Sequence, residues 1–296
     1  MTLEQLRIFV AVAEREHVTA AARALNLTQS AASSAIAALE ERHGVRLFHR
    51  VGRGVALTEA GRAFLDEARA VLARAASAEA VLGDMAGLSR GTLRLIGSQT
   101  IAAYWLPPLL ARYHALHPGI TVELAIGNSQ AAADRVEEGG ADLGFAEGPV
   151  DRPALSVREV GRDRLVLVQT ATAPLPATVD AAWLRGARWV SREAGSGTRA
   201  SFDAALAARG VDPARLDIAL TLPSNEGVRT AVAAGAGIAA LSSLVVERGI
   251  EAGRLAELPF ALGPRPFFKL RHKERYTSAA ADALLALIDA VRTPQG

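Results

Sequence analysis

Three short stretches of this 296-residue chain carry residue types found in reacting or phosphate-binding loops. Gly87-Leu88-Ser89-Arg90-Gly91 matches G-x-S-x-G, which lifts a nucleophilic serine onto a turn leading from a strand into a helix. Here the order is reversed, with a helical pattern before the motif and a strand pattern after it. No histidine stands near Ser89 in sequence to serve as its base, so a hydrolase is a weak reading. Gly235-Ala236-Gly237-Ile238-Ala239-Ala240 imitates a dinucleotide fingerprint, yet it too runs from helix to strand, where no helix N-terminus receives a pyrophosphate. It reads as a turn. His114 and His117 lie at i, i+3 on an ordinary helix end, and the two lysines, Lys269 and Lys273, fit no phosphate-binding loop. No catalytic residue, metal site or cofactor is assigned.

Composition narrows the chemistry further. The chain has no cysteine, which excludes disulfides, thiolate nucleophiles, Cys-based zinc sites and iron–sulfur clusters, and suits a reducing cytoplasm. Met1-Thr2-Leu3-Glu4 lacks the basic start of a secretory signal. The uncharged run from Thr230 to Val246 is broken by Gly235, Gly237 and two serines, and is too short to span a bilayer. A cytoplasmic protein without a membrane partner is expected. The net charge of +2 by itself suggests no nucleic-acid partner, and the 31 arginines read as GC-rich coding rather than function.

The placement of the charges points the other way. In Thr28-Gln29-Ser30-Ala31-Ala32-Ser33-Ser34-Ala35-Ile36, the polar residues Thr28, Gln29, Ser30, Ser33 and Ser34 fall on one side. Ala32, Ile36 and, beyond, Leu39 fall on the other. Short polar groups at a helix start suit base edges and phosphates in a major groove. Downstream, Arg42, Arg46, Arg50, Arg53 and Arg62 oppose only Glu59 within residues 42–62, a local charge of +4. Such a cluster is often only a solvated face. Its Gly52-Arg53-Gly54 turn, beside a helix-turn-helix, favours a DNA wing instead, with Arg50 and Arg53 on phosphates.

Elements must hold these groups in place. Leu3, Leu6, Phe9, Val10 and Ala13 recur at helical spacing, and Thr19 and Thr28 are each placed to open a further helix. Asn26 suits the tight turn, and Leu25 and Leu27 can close a small core. Val45-Arg46-Leu47-Phe48 and Val55-Ala56-Leu57 read as the strands of a wing. From Thr58 a long helix runs to about Met85. Phe64, Ala68, Val71, Ala75, Ala78, Leu82 and Met85 form a heptad seam on it, which a second copy of the helix would bury. The alternative is packing on its own domain.

The run Leu3 to Arg62, with Phe9, Ala20-Ala21, Leu25, Thr28-Gln29-Ser30-Ala31, Ser33, Ile36, Leu39-Glu40, Gly44, Leu47-Phe48, Arg50, Leu57-Thr58 and Gly61, closely resembles the N-terminal domain of LysR-type transcriptional regulators. Many members carry a basic or long polar residue where this chain has Ser34. The resemblance implies an α/β chain in three parts: a winged helix-turn-helix (residues 1–58), a dimerising linker helix (59–88) and a two-lobed α/β effector domain like periplasmic solute-binding proteins (91–296). Lobe I would comprise 91–160 and 266–296, and lobe II 161–265. The implied partners are double-stranded promoter DNA, a second copy in a homodimer or homotetramer, and RNA polymerase.

After Gly91, strand patterns at Thr92 to Ile96, Ile120 to Ile126, Leu143 to Ala146, Arg164 to Gln169, Arg188 to Ser191, Ile218 to Leu222, Ile238 to Leu241 and Phe267 to Arg271 alternate with helices, ending in one from Thr277 to about Val291. Polar clusters follow three of these strands: Ser98-Gln99-Thr100, Gly195-Ser196-Gly197-Thr198-Arg199 and Ser224-Asn225-Glu226. Asn128-Ser129 is a fourth, weaker candidate. Each cluster could merely cap a helix. Together they aim Ser98, Gln99, Thr100, Asn128, Ser196, Gly197, Thr198, Ser224 and Asn225 at one cleft, where helix N-termini favour a small anion. Glu147-Gly148-Pro149, with the first two clusters, resembles the branch controlling sulfur assimilation, sulfite response and carbon fixation. That likeness implies an inorganic sulfur anion or a phosphorylated or carboxylated metabolite as effector. The chain would cross between lobes near Val160-Gly161-Arg162 and return near Gly263-Pro264-Arg265. A small-anion sensor without transcriptional output would need only residues 91–296 and would leave the first 60 unexplained.

Overall fold

The structure, a computed structural model, describes residues 1–85 and 90–292, the side chain of Arg292 excepted. Of G-x-S-x-G, the residues Gly87, Leu88 and Ser89 lie outside the described residues, as does the expected end of the linker helix at residue 88. Two compact units form, one built on Met1–Leu82 with Glu138–Gly140, the other on Gly83–Glu137 and the chain from Ala141 onward.

In the first unit α1 (Leu3–Arg15) opens on a capping box in which the Thr2 hydroxyl and the Gln5 side chain each accept the other's backbone N–H. The second helix, α2 (Val18–Ala24), starts earlier than Thr19 predicts, because His17 Nδ1 accepts the Ala20 N–H and takes the cap itself. Asn26 makes the turn at φ 56°, and α3 (Gln29–His43) follows, capped by Thr28 and ended by Gly44 at φ 65°. Ala32, Ile36 and Leu39 face a core built around Phe9, whose ring lies 5.3 Å from Phe48 and 4.9 Å from Phe64.

The wing strands β1 (Phe48–Val51) and β2 (Gly54–Leu57) pair antiparallel across the two-residue Gly52-Arg53 turn. The first lies three residues beyond the expected Val45 start. Residues 45–47 are spent leaving α3: the Val45 N–H donates to the Glu40 carbonyl, and Leu47 is buried. The Glu40 carboxylate, itself buried, accepts the backbone N–H groups of Leu47 (2.7 Å) and Phe48 (3.2 Å) and so joins the end of α3 to the wing. Next comes α4 (Glu59–Met85), whose first turn lies so close to the wing that a Cβ on Gly61 would stand 2.1 Å from the Leu47 carbonyl oxygen.

The second unit is a mixed α/β structure. β3 (Gly91–Ser98) lies between β4 (Ile120–Gly127) and β5 (Leu143–Glu147), parallel to both. A π-helical turn at Ile101–Trp105 leads into α5 (Leu106–Leu116), and α6 (Ser129–Glu137) follows β4. β6 (Leu155–Thr170) starts nine residues earlier than its apolar run predicts. Arg158, Glu159 and Arg162 give that stretch a loop-like sequence, yet it pairs with β11 (Pro264–His272) from Leu155↔His272 to Arg164↔Pro264 and stays half exposed. These two strands link the lobes.

Between them lie α7 (Ala181–Gly186), β7 (Arg188–Arg192), α8 (Gly197–Ala207), β8 (Asp217–Leu222), α9 (Asn225–Ala233), β9 (Ala239–Ser242), α10 (Ser243–Glu251) and β10 (Leu255–Glu257). β10, an added edge beside β6, has no counterpart among the expected strands. Gly235 and Gly237, at φ 85° and 150°, make the helix-to-strand turn, and a side chain on Gly237 would meet the Arg188 carbonyl oxygen at 2.5 Å. The closing helix is α11 (Ala279–Arg292). No helix among the described residues is long and apolar enough to cross a membrane.

Candidate functional site

At the start of α3, Gln29, Ser30 and Ser34 are exposed and Ser33 half-exposed. Thr28 is committed locally, its hydroxyl accepting the Ala31 N–H at 3.2 Å and lying 3.1 Å from that of Ser30. Gln29 Nε2 donates to Ser33 Oγ at 2.8 Å, which preorients an amide able to make paired hydrogen bonds with a base. Arg50 on β1 and Arg53 at the turn tip are exposed and extend the same basic segment. Two other arginines are partly spent. Arg46 is 2.7 Å from Glu40, which lies just outside the basic run, and Arg62 donates to the Leu57 carbonyl. Glu40 is a positioning group that sequence reasoning misses, since nothing in a helical pattern marks one glutamate as buried.

The heptad seam divides. Phe64 and Ala68 turn into the core of the first unit, Ala75 is half-buried, and Val71, Ala78 and Leu82 are exposed, with Met85 beyond them. A straight α-helix drifts roughly 20° per heptad relative to a 3.5-residue repeat, which carries later seam positions away from the face of the first.

The polar clusters of the second unit meet in one cleft between its lobes. From lobe I, Ser98 and Thr100 stand at the end of β3 and Glu147 at the end of β5, all buried. From lobe II, Thr198 lies in the first turn of α8, Asn225 in the first turn of α9 and Arg192 at the end of β7, also buried. Ser98 Oγ donates to the Glu147 carboxylate, Thr198 Oγ1 donates to it at 3.3 Å, and Arg265 Nη1 stands 3.6 Å away. Asn225 Nδ2 donates to Thr100 Oγ1 at 3.0 Å while its carbonyl oxygen accepts from Arg192.

Further straps cross the cleft. Gln99 accepts the Asn225 N–H at 2.8 Å and donates to the Pro223 carbonyl at 2.7 Å. Asn128 caps α6 through the Ala131 N–H and donates to Glu193 at 3.2 Å. Ser196 and Ser224 accept the backbone N–H groups of Arg199 and Gly227 as N-caps, so both orient helix starts. Gly197 permits the close approach: a Cβ there would lie 1.9 Å from the Glu147 carbonyl oxygen.

Charge is concentrated here. Arg265 is held by Asp163 as well as Glu147; burial alone would lower its pKa, and the two carboxylates overcome that and raise it. Burial would likewise raise the Glu193 pKa, but hydrogen bonds and charge from Arg192, with help from backbone and Asn128, bring it below the ordinary value. Among the described residues no buried side-chain donor or acceptor is left without a partner, and no group of acids and histidines has the arrangement of a metal site. Glu147, Arg192, Arg265 and Asp163 are absent from the site set that the sequence suggests. Buried arginines are indistinguishable in sequence from the many exposed ones, and Asp163 sits in the part of β6 that reads as loop. Behind α8 a cavity of about 340 Å³, lined by Trp189, Phe202 and Leu216, reaches Arg192 and Thr198.

Residues 3–62 match the family described as bacterial regulatory helix-turn-helix protein, lysR family, and residues 86–292 match the LysR substrate binding domain. The chain is 34% identical to the uncharacterized HTH-type transcriptional regulator YeiE of Escherichia coli K12, over 100% of this chain and 99% of that protein. It is 31% identical to the HTH-type transcriptional regulator CbbR of Rhodospirillum rubrum, over 97% and 96% of the two. Its fold is that of full-length CbnR in complex with its target DNA, at TM-score 0.70 and 22% identity over 98% of this chain and 99% of that one. The Synechocystis PCC6803 CcmR regulatory domain in complex with 2-PG covers 70% of this chain, 99% of its own, at TM-score 0.62 and 25% identity. With a winged helix-turn-helix at its start and an α/β effector domain spanning the rest, the chain belongs to the LysR family of DNA-binding transcriptional regulators, in the branch that includes CbbR.

Proposed function

We propose that the effector of this regulator is a small anion, an inorganic sulfur anion or a phosphorylated or carboxylated metabolite, taken into the cleft between the lobes. The supporting observation is the convergence of Ser98 and Thr100 from one lobe with Thr198 and Asn225 from the other, beside the buried guanidinium groups of Arg192 and Arg265. Hydroxyls and cations held out of water bind an anion far more strongly than the same groups would at the surface. The neighbouring cavity has room for the organic part of a metabolite. The CcmR domain, similar in fold, holds 2-PG, which is in keeping with this ligand class.

The protein acts by binding, not catalysis, within the cytoplasm. It works as a homodimer joined through the outward part of the α4 seam, and as a homotetramer of such dimers, with α3 entering successive major grooves of a pseudo-palindromic promoter site. Thr28, Gln29, Ser30, Ser33 and Ser34 meet bases and nearby phosphates, Arg50 and Arg53 meet phosphates, and RNA polymerase is the downstream partner. Thr198→Ala removes a cleft hydroxyl, so stabilisation of the protein by added sulfite or phosphate, measured as a thermal shift, should fall by at least half. An unchanged shift in that variant sinks the site.

A further inference from the structure

The cleft contains a feature that a plain anion site has no use for. The Glu147 carboxylate sits among the donors, accepting the hydroxyls of Ser98 and Thr198 beside Arg265, and it is only 2% exposed. Charged neighbours approach from two elements: Arg265 from β11 at 3.6 Å and Asp163 from β6 behind it, while Arg192 on β7 is paired with Glu193. β3 and α6 present Ser98 and Ser129, the latter donating to the Glu147 carbonyl oxygen at 2.7 Å. Two carboxylates, Glu147 and Asp163, therefore share one guanidinium, Arg265, and this cluster carries one negative charge in excess before any anion enters. A fully ionised oxyanion against Glu147 would meet a like charge in a place where water cannot screen it. An oxyanion that still carries a proton can donate that proton's hydrogen bond to the carboxylate while accepting from the hydroxyls and Arg265.

We propose that Glu147 is the specificity-determining residue of this cleft, selecting oxyanions that bear an acidic proton, such as hydrogen sulfite, hydrogen phosphate or a hydrogen phosphomonoester, and rejecting fully ionised sulfate. This rests on the anion reading above and goes beyond it. A site built to accept a hydrogen bond discriminates strongly against a ligand unable to donate one, because its own acceptor is then left unpaired.

The test is direct binding to the full-length protein by calorimetry, with sodium sulfite, phosphate and sulfate as probes, over a pH series from mildly acidic to mildly alkaline. The wild type should bind sulfite and phosphate about 100-fold more tightly than sulfate at mildly acidic pH, with sulfite affinity falling as the pH passes its last ionisation while phosphate, which keeps a proton throughout the series, stays ahead of sulfate. In Glu147→Gln, whose amide can donate to an ionised oxygen, sulfate should gain and the preference should shrink to less than about 10-fold. Should that variant not fold, the wild-type series alone decides. Wild-type binding of sulfate as tight as that of sulfite and phosphate, with no pH dependence, overturns the role of Glu147 and leaves the anion site standing. Binding of none of the three probes overturns this proposal and, with it, the reading of the cleft as a site for an inorganic oxyanion.

Discussion

Arg53 stands at the tip of a two-residue turn, exposed, with its backbone fixed by the pairing of Val51 with Gly54. On the proposed reading this guanidinium meets a phosphate rather than a base edge, so its loss would remove one released counterion. Arg53→Ala should therefore weaken binding to every sequence by a similar factor and lower the salt slope by about one. Mobility shifts of specific and scrambled duplexes over a salt series measure both, and a loss confined to the specific duplex would move Arg53 from backbone to base contact. Glu193 gives a second prediction at this scale. Its folded pKa lies below the ordinary value despite burial, because Arg192 and Asn128 hold the ionised form. The unfolded chain thus binds a proton more readily, so the stability Glu193 supplies is full above the ordinary carboxylate range and is lost as pH falls through its folded pKa. The Tm gap between wild type and Glu193→Gln should narrow on acidification, and a constant gap would exclude Glu193 as a titrating strap.

At the scale of elements, α4 serves two purposes along its length. Phe64 packs 4.9 Å from Phe9, while Leu82, 69% exposed, has nothing of its own unit to cover it. Phe64→Ala should cost about 2 kcal/mol in denaturant unfolding of the first unit. Leu82→Glu should leave that stability alone and shift sedimentation toward the monomer, and a dimer unaffected by it would place the interface elsewhere. The seam shows where periodicity stops informing: a 4, 3, 4, 3 spacing reports an apolar stripe but not what it faces. The same holds for other elements. The turn at Asn26 and the inward face of α3 are legible in the sequence, because local chemistry alone decides them. The wing strand slips by three residues because a buried carboxylate eight positions upstream sets where pairing starts. The early half of β6 is hidden because a strand paired along one edge only, to β11, and half exposed can be rich in charge.

For the whole molecule, the groups lining the cleft sort by visibility. Hydroxyls at strand ends are readable because the topology of an α/β sheet assigns them a place, whereas Glu147 and Arg265 matter only through burial, which arises when the two lobes meet. Straps from Gln99, Asn128 and Glu147 cross the cleft, so any ligand entering it must exchange contacts in both lobes at once. Closure of that kind redistributes populations only as far as the ligand binds one arrangement better than the other.

The register of β6 against β11 places Arg162 opposite Pro266, so the chain leaves for the second lobe and comes back at neighbouring positions on adjacent strands. Everything between those positions is in effect an insertion whose ends already touch. A segment of that kind can be exchanged between relatives as a cassette without lengthening or straining the strands that receive it. A chimera carrying residues 163–265 of another branch member should fold and trade half of its ligand contacts in a single step, and its effector preference would show which lobe chooses the molecule and which merely closes on it.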